Sequence, residues 1–579
     1  MKQELMPPPA PTQVATESVA EALLVLLKDR GVDCFYVGAG TDTAPVIEAY
    51  ARAESAGLDL PRPIVAAHEN LAVGMAHGYY MIARRPQAVM LHVSVGTANA
   101  VCALMNAARA QVPVLLMAGR TPWFEQGRLG SRTHEVHWAQ EMFDQAGMVR
   151  ELVKWDYELR DGLNVAEIVD RSLGVAMTEP RGPVYLTLPR ETLAQRKEEC
   201  TIGQTFVQPS SAHPDPAAVE RLAQALATAA FPAIVCTSSG ADPRTVPLLA
   251  ELATRFGIGV AENRPRYLCF PSSHELHLGS DMSALLPQAD ALLFLETDVP
   301  WIPAVVEPRA DAFVAQAGSD PSFVRYPVRS FRADISITSN PVALLGALIK
   351  ALAAMGAERT APPRRDRMKS FAAEGRARRD AVAAKDAESG GAITKLFMSR
   401  CLDEVRPQDA IVVNEYSAMR DQMRFDEPGT FFQLPSSGGL GWGLPAALGA
   451  QQAAPDRIVI SVVGDGAYLF ANPAACHQAA AMHDLPVLVI VYNNEGWEAV
   501  EKATTAMYPK AHTESYAKAH RVAPLSSLQP IPDFELYAKA SGGHGERVER
   551  REDLVPALKR ALAIVRDERR QVVLNVIGR

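Results

Sequence analysis

The chain has 579 residues, too many for one hydrophobic core and suited to three domains of ordinary size. A hydrophobic content of 48% marks it as globular, and a formal net charge of −8 without a basic run argues against nucleic acid as the main partner. Seven scattered cysteines without a CxxC pair read as reduced thiols, and no apolar run reaches membrane-spanning length, so the expectation is a cytoplasmic protein with a small-molecule partner and no membrane.

Residues 1–16, polar and proline-rich, are expected to form a flexible tail. A helical pattern starts at Ser18, and strand-like runs at 34–37, 64–66, 88–93, 112–118 and 184–188 then alternate with helices from Asn70 and Thr97. That alternation predicts a doubly wound parallel sheet over 17–195. A polar, proline-dotted linker runs to about 215 and leads into a second α/β domain over 210–350, with strands at 233–237 and 291–296. Residues 351–391 are charged and proline-containing, as an exposed connector with some helix would be, and a third α/β domain follows over 392–579. The expected fold class is α/β, with three doubly wound parallel-sheet domains.

The third domain carries the strongest motif. An apolar run over 458–463 breaks at Gly464-Asp465-Gly466, and a second over 486–492 ends in Asn493-Asn494-Glu495-Gly496. The segment between them has the length and composition of a crossover helix, so the unit is βαβ and both polar tips share the carboxyl edge of one sheet. Glycines there let backbone approach a phosphate, while Asp and Asn offer hard oxygen ligands for Mg²⁺ shared with a diphosphate. Gly-Asp-Gly, 26 intervening residues and Asn-Asn resemble the cofactor motif of thiamine diphosphate enzymes. The resemblance implies Asp465, Asn494 and the Gly496 carbonyl as Mg²⁺ ligands, with Gly464, Gly466 and Ala467 against the diphosphate.

In AAHENLAVGMAHGYY, Glu69 sits where a strand ends and a small-residue helix begins; alone, it reads as a carboxylate complementing the helix dipole. The stretch is similar to the glutamate helix of the acetolactate synthase and benzoylformate decarboxylase branch, which implies that Glu69 binds the aminopyrimidine ring and activates the cofactor. The run PSSGGLGWGLPAALGA, 435–450, resembles the segment that bends the cofactor, with the Gly438 carbonyl and the Leu440 side chain as its contacts; Ser417 in VNEYS resembles a diphosphate-contacting hydroxyl. LHVSVGTAN resembles benzoylformate decarboxylase and implies that His92 relays protons, and Thr41 in VGAGTD takes the place of a substrate-orienting serine. Gln140 in WAQE resembles the glutamine loop of acetolactate synthase, beside its reading as a surface amide.

Two departures stand out. LETDVPWIPAV has no histidine where benzoylformate decarboxylase contributes a second one from its middle domain, and no glycine-rich flavin loop is found over 237–242. His134 and His137 read as polar surface, not a metal pair. The resemblance implies a 2-oxo acid decarboxylase or carboligase that generates an acyl-anion equivalent. Its cofactor would lie between the first domain of one subunit and the third of another, in a homodimer or homotetramer. The segment from Gly496 to about 530 would form a lid. One alternative is a 2-hydroxyacyl-CoA lyase gripping a nucleotide through Arg264 and Arg266. Another is a non-catalytic relative acting as a binding module, expected to have lost Asp465 or Glu69.

Overall fold

Three parallel sheets follow one another along the chain in a computed structural model that describes residues 11–203, 208–520 and 522–578. The first domain supplies β1 (Thr12–Ala15), β2 (Cys34–Val37), β3 (Arg62–Val65), β4 (Gln87–Leu91), β5 (Val114–Arg120), β6 (Asp156–Glu158), β7 (Val184–Pro189) and β8 (Glu199–Ile202). Six of these form a parallel sheet in the order β3-β2-β4-β5-β7-β6. Strands β4 and β7 are buried throughout, because helices cover both faces of a parallel sheet and leave no polar alternation.

The central domain supplies β9 (Pro232–Cys236), β10 (Gly259–Glu262), β11 (Ala291–Leu295), β12 (Phe313–Gly318) and β13 (Ile335–Thr338), ordered β10-β9-β11-β12-β13. The third domain supplies β14 (Ile411–Glu415), β15 (Phe431–Gln433), β16 (Val459–Gly464), β17 (Val487–Asn493), β18 (His544–Val548) and β19 (Val572–Ile577), ordered β15-β14-β16-β17-β19-β18. Counted within each sheet, the first and third sheets share one order, second-first-third-fourth-sixth-fifth, and the central sheet repeats its first four places.

Three segments differ from the sequence reading. The described end of the expected tail is a strand: β1 pairs antiparallel with β8, Thr12 opposite Ile202, and Val14 packs on the first domain's core. Residues 1–10 lie outside the described residues. Strand β8 itself falls in the expected linker. The expected connector is mostly one 28-residue helix, Ala361–Glu388, with prolines in its first turn, where a missing N–H costs little, and with Arg364, Met368 and Ala372 buried. All seven cysteines are free and only Cys102 is exposed. Among the described residues no single helix is long and apolar enough to cross a membrane.

The first and third domains meet along helices Glu69–Ala83 and Gly443–Ala453, within one contiguous core. Their backbones touch. A Cβ on Gly78 would overlap the carbonyl oxygen of Ala446, and one on Gly449 would overlap that of Met75. The central and third domains are joined by the buried Glu262 carboxylate, which accepts from Arg420 Nη2 at 2.8 Å and faces His277 Nε2 at 3.2 Å.

Candidate functional site

Strands β16 and β17 are paired in parallel, Gly464 beside Tyr492, so their polar ends emerge together at the carboxyl edge of the third sheet. Asp465 opens helix Asp465–Phe470 there. Its Oδ1 accepts the Gly466 N–H at 2.7 Å and its Oδ2 accepts the Gly496 N–H at 3.2 Å. The side-chain oxygen of Asn494 faces two further oxygens, Gly496 O at 3.1 Å and Asp465 Oδ2 at 3.2 Å. Either the amide turns over and donates to both, or a cation sits among the three. Oxygens about 3 Å apart are the edge of an octahedron with metal–oxygen bonds of about 2.1 Å, the Mg²⁺ geometry. Burial raises the Asp465 pKa against the lowering by surrounding N–H groups, and no Lys or Arg of the described residues pairs with it. The donor set therefore fits a hard divalent cation. Among the described residues no cluster of three His, Cys, Asp or Glu offers another metal centre, and His137 Nδ1 instead accepts the Thr133 N–H at 3.0 Å.

Beside this edge, β14 ends at Glu415, followed by Tyr416 and the buried Ser417; a Cβ on Gly464 would lie 3.4 Å from Ser417 Oγ. Gly438 has φ +65°, and the Tyr416 hydroxyl lies 3.3 Å from where its Cβ would stand. Leu440 packs against the shared core, partly buried. The turn holding it is fixed by Glu415, whose carboxylate accepts the N–H groups of Gly441 at 2.8 Å and Gly443 at 2.6 Å. Burial pushes the Glu415 pKa up to about 7, against the lowering by those N–H groups. The sequence reading passed over this acid for the serine two residues on.

In the first domain, Thr41, Glu69 and His92 follow β2, β3 and β4, so they share a carboxyl edge, and Gln140 comes from the loop after β5. Glu69 Oε2 accepts from Asn99 Nδ2 at 2.5 Å. His92 caps the sheet end, not a strand interior: β4 stops at Leu91 and a helix starts at Val93, whose φ of +31° is strained for a β-branched residue. His92 Nδ1 donates to Asp42 Oδ1 at 2.5 Å, and this hydrogen bond, opposed by burial and helped by the Asp42 and Glu69 charges, raises its pKa. Its Nε2 faces Gln140 Nε2 at 3.5 Å, while Gln140 Oε1 is buried without a partner among the described residues. Thr41 is exposed, and its carbonyl accepts from Arg190 Nη1 at 3.5 Å. Asp42, 2% exposed, was missed by the sequence reading; the signal was an acid in the glycine-rich loop leaving β2.

Not every candidate comes together. Within one chain the side-chain partner of Glu69 is from the first domain, whereas the oxygen triad is built wholly from the third. Arg266, offered above as a nucleotide grip, is buried and engaged by Asp298, with Ser436 Oγ accepting from it at 2.9 Å.

Two carboxyl edges, one gathering polar groups of Asp465, Asn494 and Gly496 and the other presenting an acid, a histidine and an amide, define a cofactor-binding α/β protein. Residues 17–148 match the N-terminal TPP binding domain of thiamine pyrophosphate enzymes, and 414–576 match the C-terminal TPP binding domain. The chain belongs to the thiamine pyrophosphate enzyme family, in the acetolactate synthase and benzoylformate decarboxylase superfamily. It is 28% identical over 570 residues to benzoylformate decarboxylase of Pseudomonas aeruginosa, covering 94% of this chain and 97% of that one. It is 26% identical over 550 residues to sulfoacetaldehyde acetyltransferase of Alcaligenes xylosoxydans (89% and 86% covered), and 24% identical over 568 residues to acetolactate synthase of Mycobacterium bovis (94% and 86%). The fold matches solved structures of a Rhodococcus jostii 4-hydroxybenzoylformate decarboxylase, at TM-score 0.76 and 22% identity, and a Polynucleobacter necessarius benzoylformate decarboxylase, at 0.77 and 20%, each covering 97% of this chain and 99% of the other.

Proposed function

We propose that this protein is a Mg²⁺ and thiamine diphosphate-dependent enzyme that makes or breaks the carbon–carbon bond beside the carbonyl of a 2-oxo acid, as decarboxylase or carboligase. The observation that carries this reading is the convergence of the Asp465 carboxylate and the Gly496 carbonyl on the Asn494 side-chain amide, at 3.2 and 3.1 Å, at the carboxyl edge of the third sheet. Thiamine diphosphate, when bound, supplies a carbon acid and an electron sink for the substrate carbonyl carbon. Asp465, Asn494 and the Gly496 carbonyl hold the metal. Gly464, Gly466, Ala467 and Ser417 lie against the diphosphate, and Gly438 and Leu440 orient the rings. Glu69 would meet the ring nitrogen of the aminopyrimidine with its carboxyl group. His92 moves a proton at Nε2, steadied at Nδ1 by Asp42. Thr41 and Gln140 orient the substrate.

In this reading the acid and the metal ligands of one site come from two copies of the chain, so the working unit is at least a homodimer. Support comes from apolar side chains left exposed in these two domains: Val65, Val95 and Met105 in the first, Phe470 and Met482 in the third. The engagement of Arg266 with Asp298 disfavours the acyl-CoA lyase alternative, and the presence of both Glu69 and Asp465 disfavours a non-catalytic module.

Calorimetric titration with thiamine diphosphate and Mg²⁺ tests the reading. Asp465→Ala should weaken binding by more than about tenfold while circular dichroism stays unchanged. Glu69→Gln should bind the cofactor and release little CO₂ from 2-oxo acids. An Asp465→Ala protein that binds as tightly as the parent would sink the assignment.

A further inference from the structure

A cleft separates the central and third domains next to the cofactor edge. Its central wall is the stretch without a histidine, including Trp301, Ile302 and Val305; Met419 faces it from the third domain. Ile302, Val305 and Met419 are 38%, 69% and 40% exposed, so the cleft presents apolar surface to whatever enters it. Four charged side chains line it. Asp421 accepts from Ser280 Oγ, Asp281 caps a helix by accepting the Ala284 N–H at 3.1 Å, and Arg420 is taken by Glu262. Arg264 is the fourth. It is exposed, and its guanidinium has no hydrogen-bond or ion-pair partner among the described residues.

Two observations set Arg264 apart from an ordinary surface arginine. Its backbone is left-handed, φ +46°, a conformation that a non-glycine residue keeps where neighbours impose it. The neighbours are identifiable: Asn263 Nδ2 donates to the carbonyls of Val299 at 3.0 Å and Pro300 at 3.2 Å, and Gln433 N donates to Arg266 O at 2.9 Å. The bond from Gln433 ties the Arg264 loop to the end of β15, from which the chain runs directly to Gly438 and Leu440. The Arg264 charge also reaches Tyr416, whose hydroxyl lies beside Gly438.

We infer that this cleft receives the substrate's side chain and that Arg264 reads an anionic group at its far end, so that the preferred 2-oxo acid has an apolar body and a distal carboxylate or sulfonate. The inference rests on the function proposed above and deepens it. A guanidinium pairs such groups through two parallel N–H donors, which favours them over a neutral end of the same length. The apolar wall accepts the methylenes between.

The test uses the full-length protein with thiamine diphosphate and Mg²⁺. Adipate and hexanoate are titrated calorimetrically, and 2-oxoadipate and 2-oxohexanoate are compared as substrates. The parent should bind adipate at least about tenfold more tightly than hexanoate and show the same preference in kcat/KM, through KM. Arg264→Gln should erase the preference without changing thiamine diphosphate affinity, and Arg264→Lys should keep part of it. Equal binding of the two acids by the parent, or an equal loss of both in Arg264→Gln, overturns the inference. Tighter binding of ADP that displaces adipate and depends on Arg264 also overturns it, because the anion read would then belong to a nucleotide. If the protein binds no thiamine diphosphate, the earlier reading fails, while the adipate preference is still decided by calorimetry.

Discussion

Oδ1 of Asp42 lies 2.5 Å from Nδ1 of His92, and Oδ2 of the same carboxylate accepts the backbone N–H of Val93 at 3.3 Å. One buried acid thus holds both the ring and the strained residue after it. Two glycines make the room: a Cβ on Gly40 would overlap the His92 ring, and one on Gly119 would overlap the Asp42 carboxylate.

Replacing Asp42 by Asn should lower the His92 pKa, because the hydrogen bond to the carboxylate is the largest influence raising it from 6.5. The proton NMR titration of the His92 ring should move to lower pH. A raised histidine pKa adds stability that is complete below the unfolded value and is lost as pH rises through the folded value. The variant should therefore be more destabilised at about pH 5.5 than at about pH 9 in urea unfolding.

Glu296 predicts a slope of the same sign that begins at lower pH. It is buried, accepts the Ser319 N–H at 2.7 Å, and burial pushes its pKa from 4.5 to about 7. The unfolded chain ionises first, so stability falls as pH rises from about 4.5 through about 7. Glu296→Gln should flatten that decline and gain on the order of 1–3 kcal/mol at pH 8, read from denaturant midpoints. Glu415 titrates in the same window and will leave a residual slope.

The helix contact between the first and third domains predicts that Gly78→Ala or Gly449→Ala costs about 1–3 kcal/mol, since the added carbon meets a backbone carbonyl that cannot step aside. Gly346, inside helix Pro341–Ala354, has nothing within 4 Å of its Cβ position. Gly346→Ala should stabilise by about 0.5–1 kcal/mol. Denaturant unfolding of the three variants measures the contrast.

Glu415→Gln replaces one acceptor oxygen with a donor that must face the N–H of Gly441 or Gly443. A buried donor facing a donor costs about 1–3 kcal/mol. The Leu440 turn should loosen, and calorimetry should show weaker thiamine diphosphate binding even though Glu415 touches no cofactor atom in the proposed reading.

How much of this was readable beforehand follows from where each interaction is made. Strands β16 and β17 are continuous apolar runs that end in glycine and asparagine, so the strands and the oxygens at their tips were visible within a few residues. Asp42 and Glu415 were not, because each is defined by a partner 50 or 26 positions away. The β1–β8 ribbon was hidden for a related reason: TQVA carries no apolar run, and backbone pairing across the domain makes it a strand. In the helix Ala361–Glu388 the abundant charges suggested a loose connector. Its Ala, Arg, Lys and Glu are nonetheless good helix formers, and a few buried side chains settle it against the central domain.

Gly466 leaves space that the Trp497 indole fills, and that ring meets Phe470 edge-on at 5.5 Å between centroids. The two loops that carry the proposed ligand oxygens are thereby clasped by an aromatic wedge. An arriving divalent ion would find its ligands already in register, so shedding its own hydration shell, rather than rearranging the protein, would set the pace of uptake. A bulkier residue at Gly466 would unclasp the loops and move that bottleneck to the polypeptide.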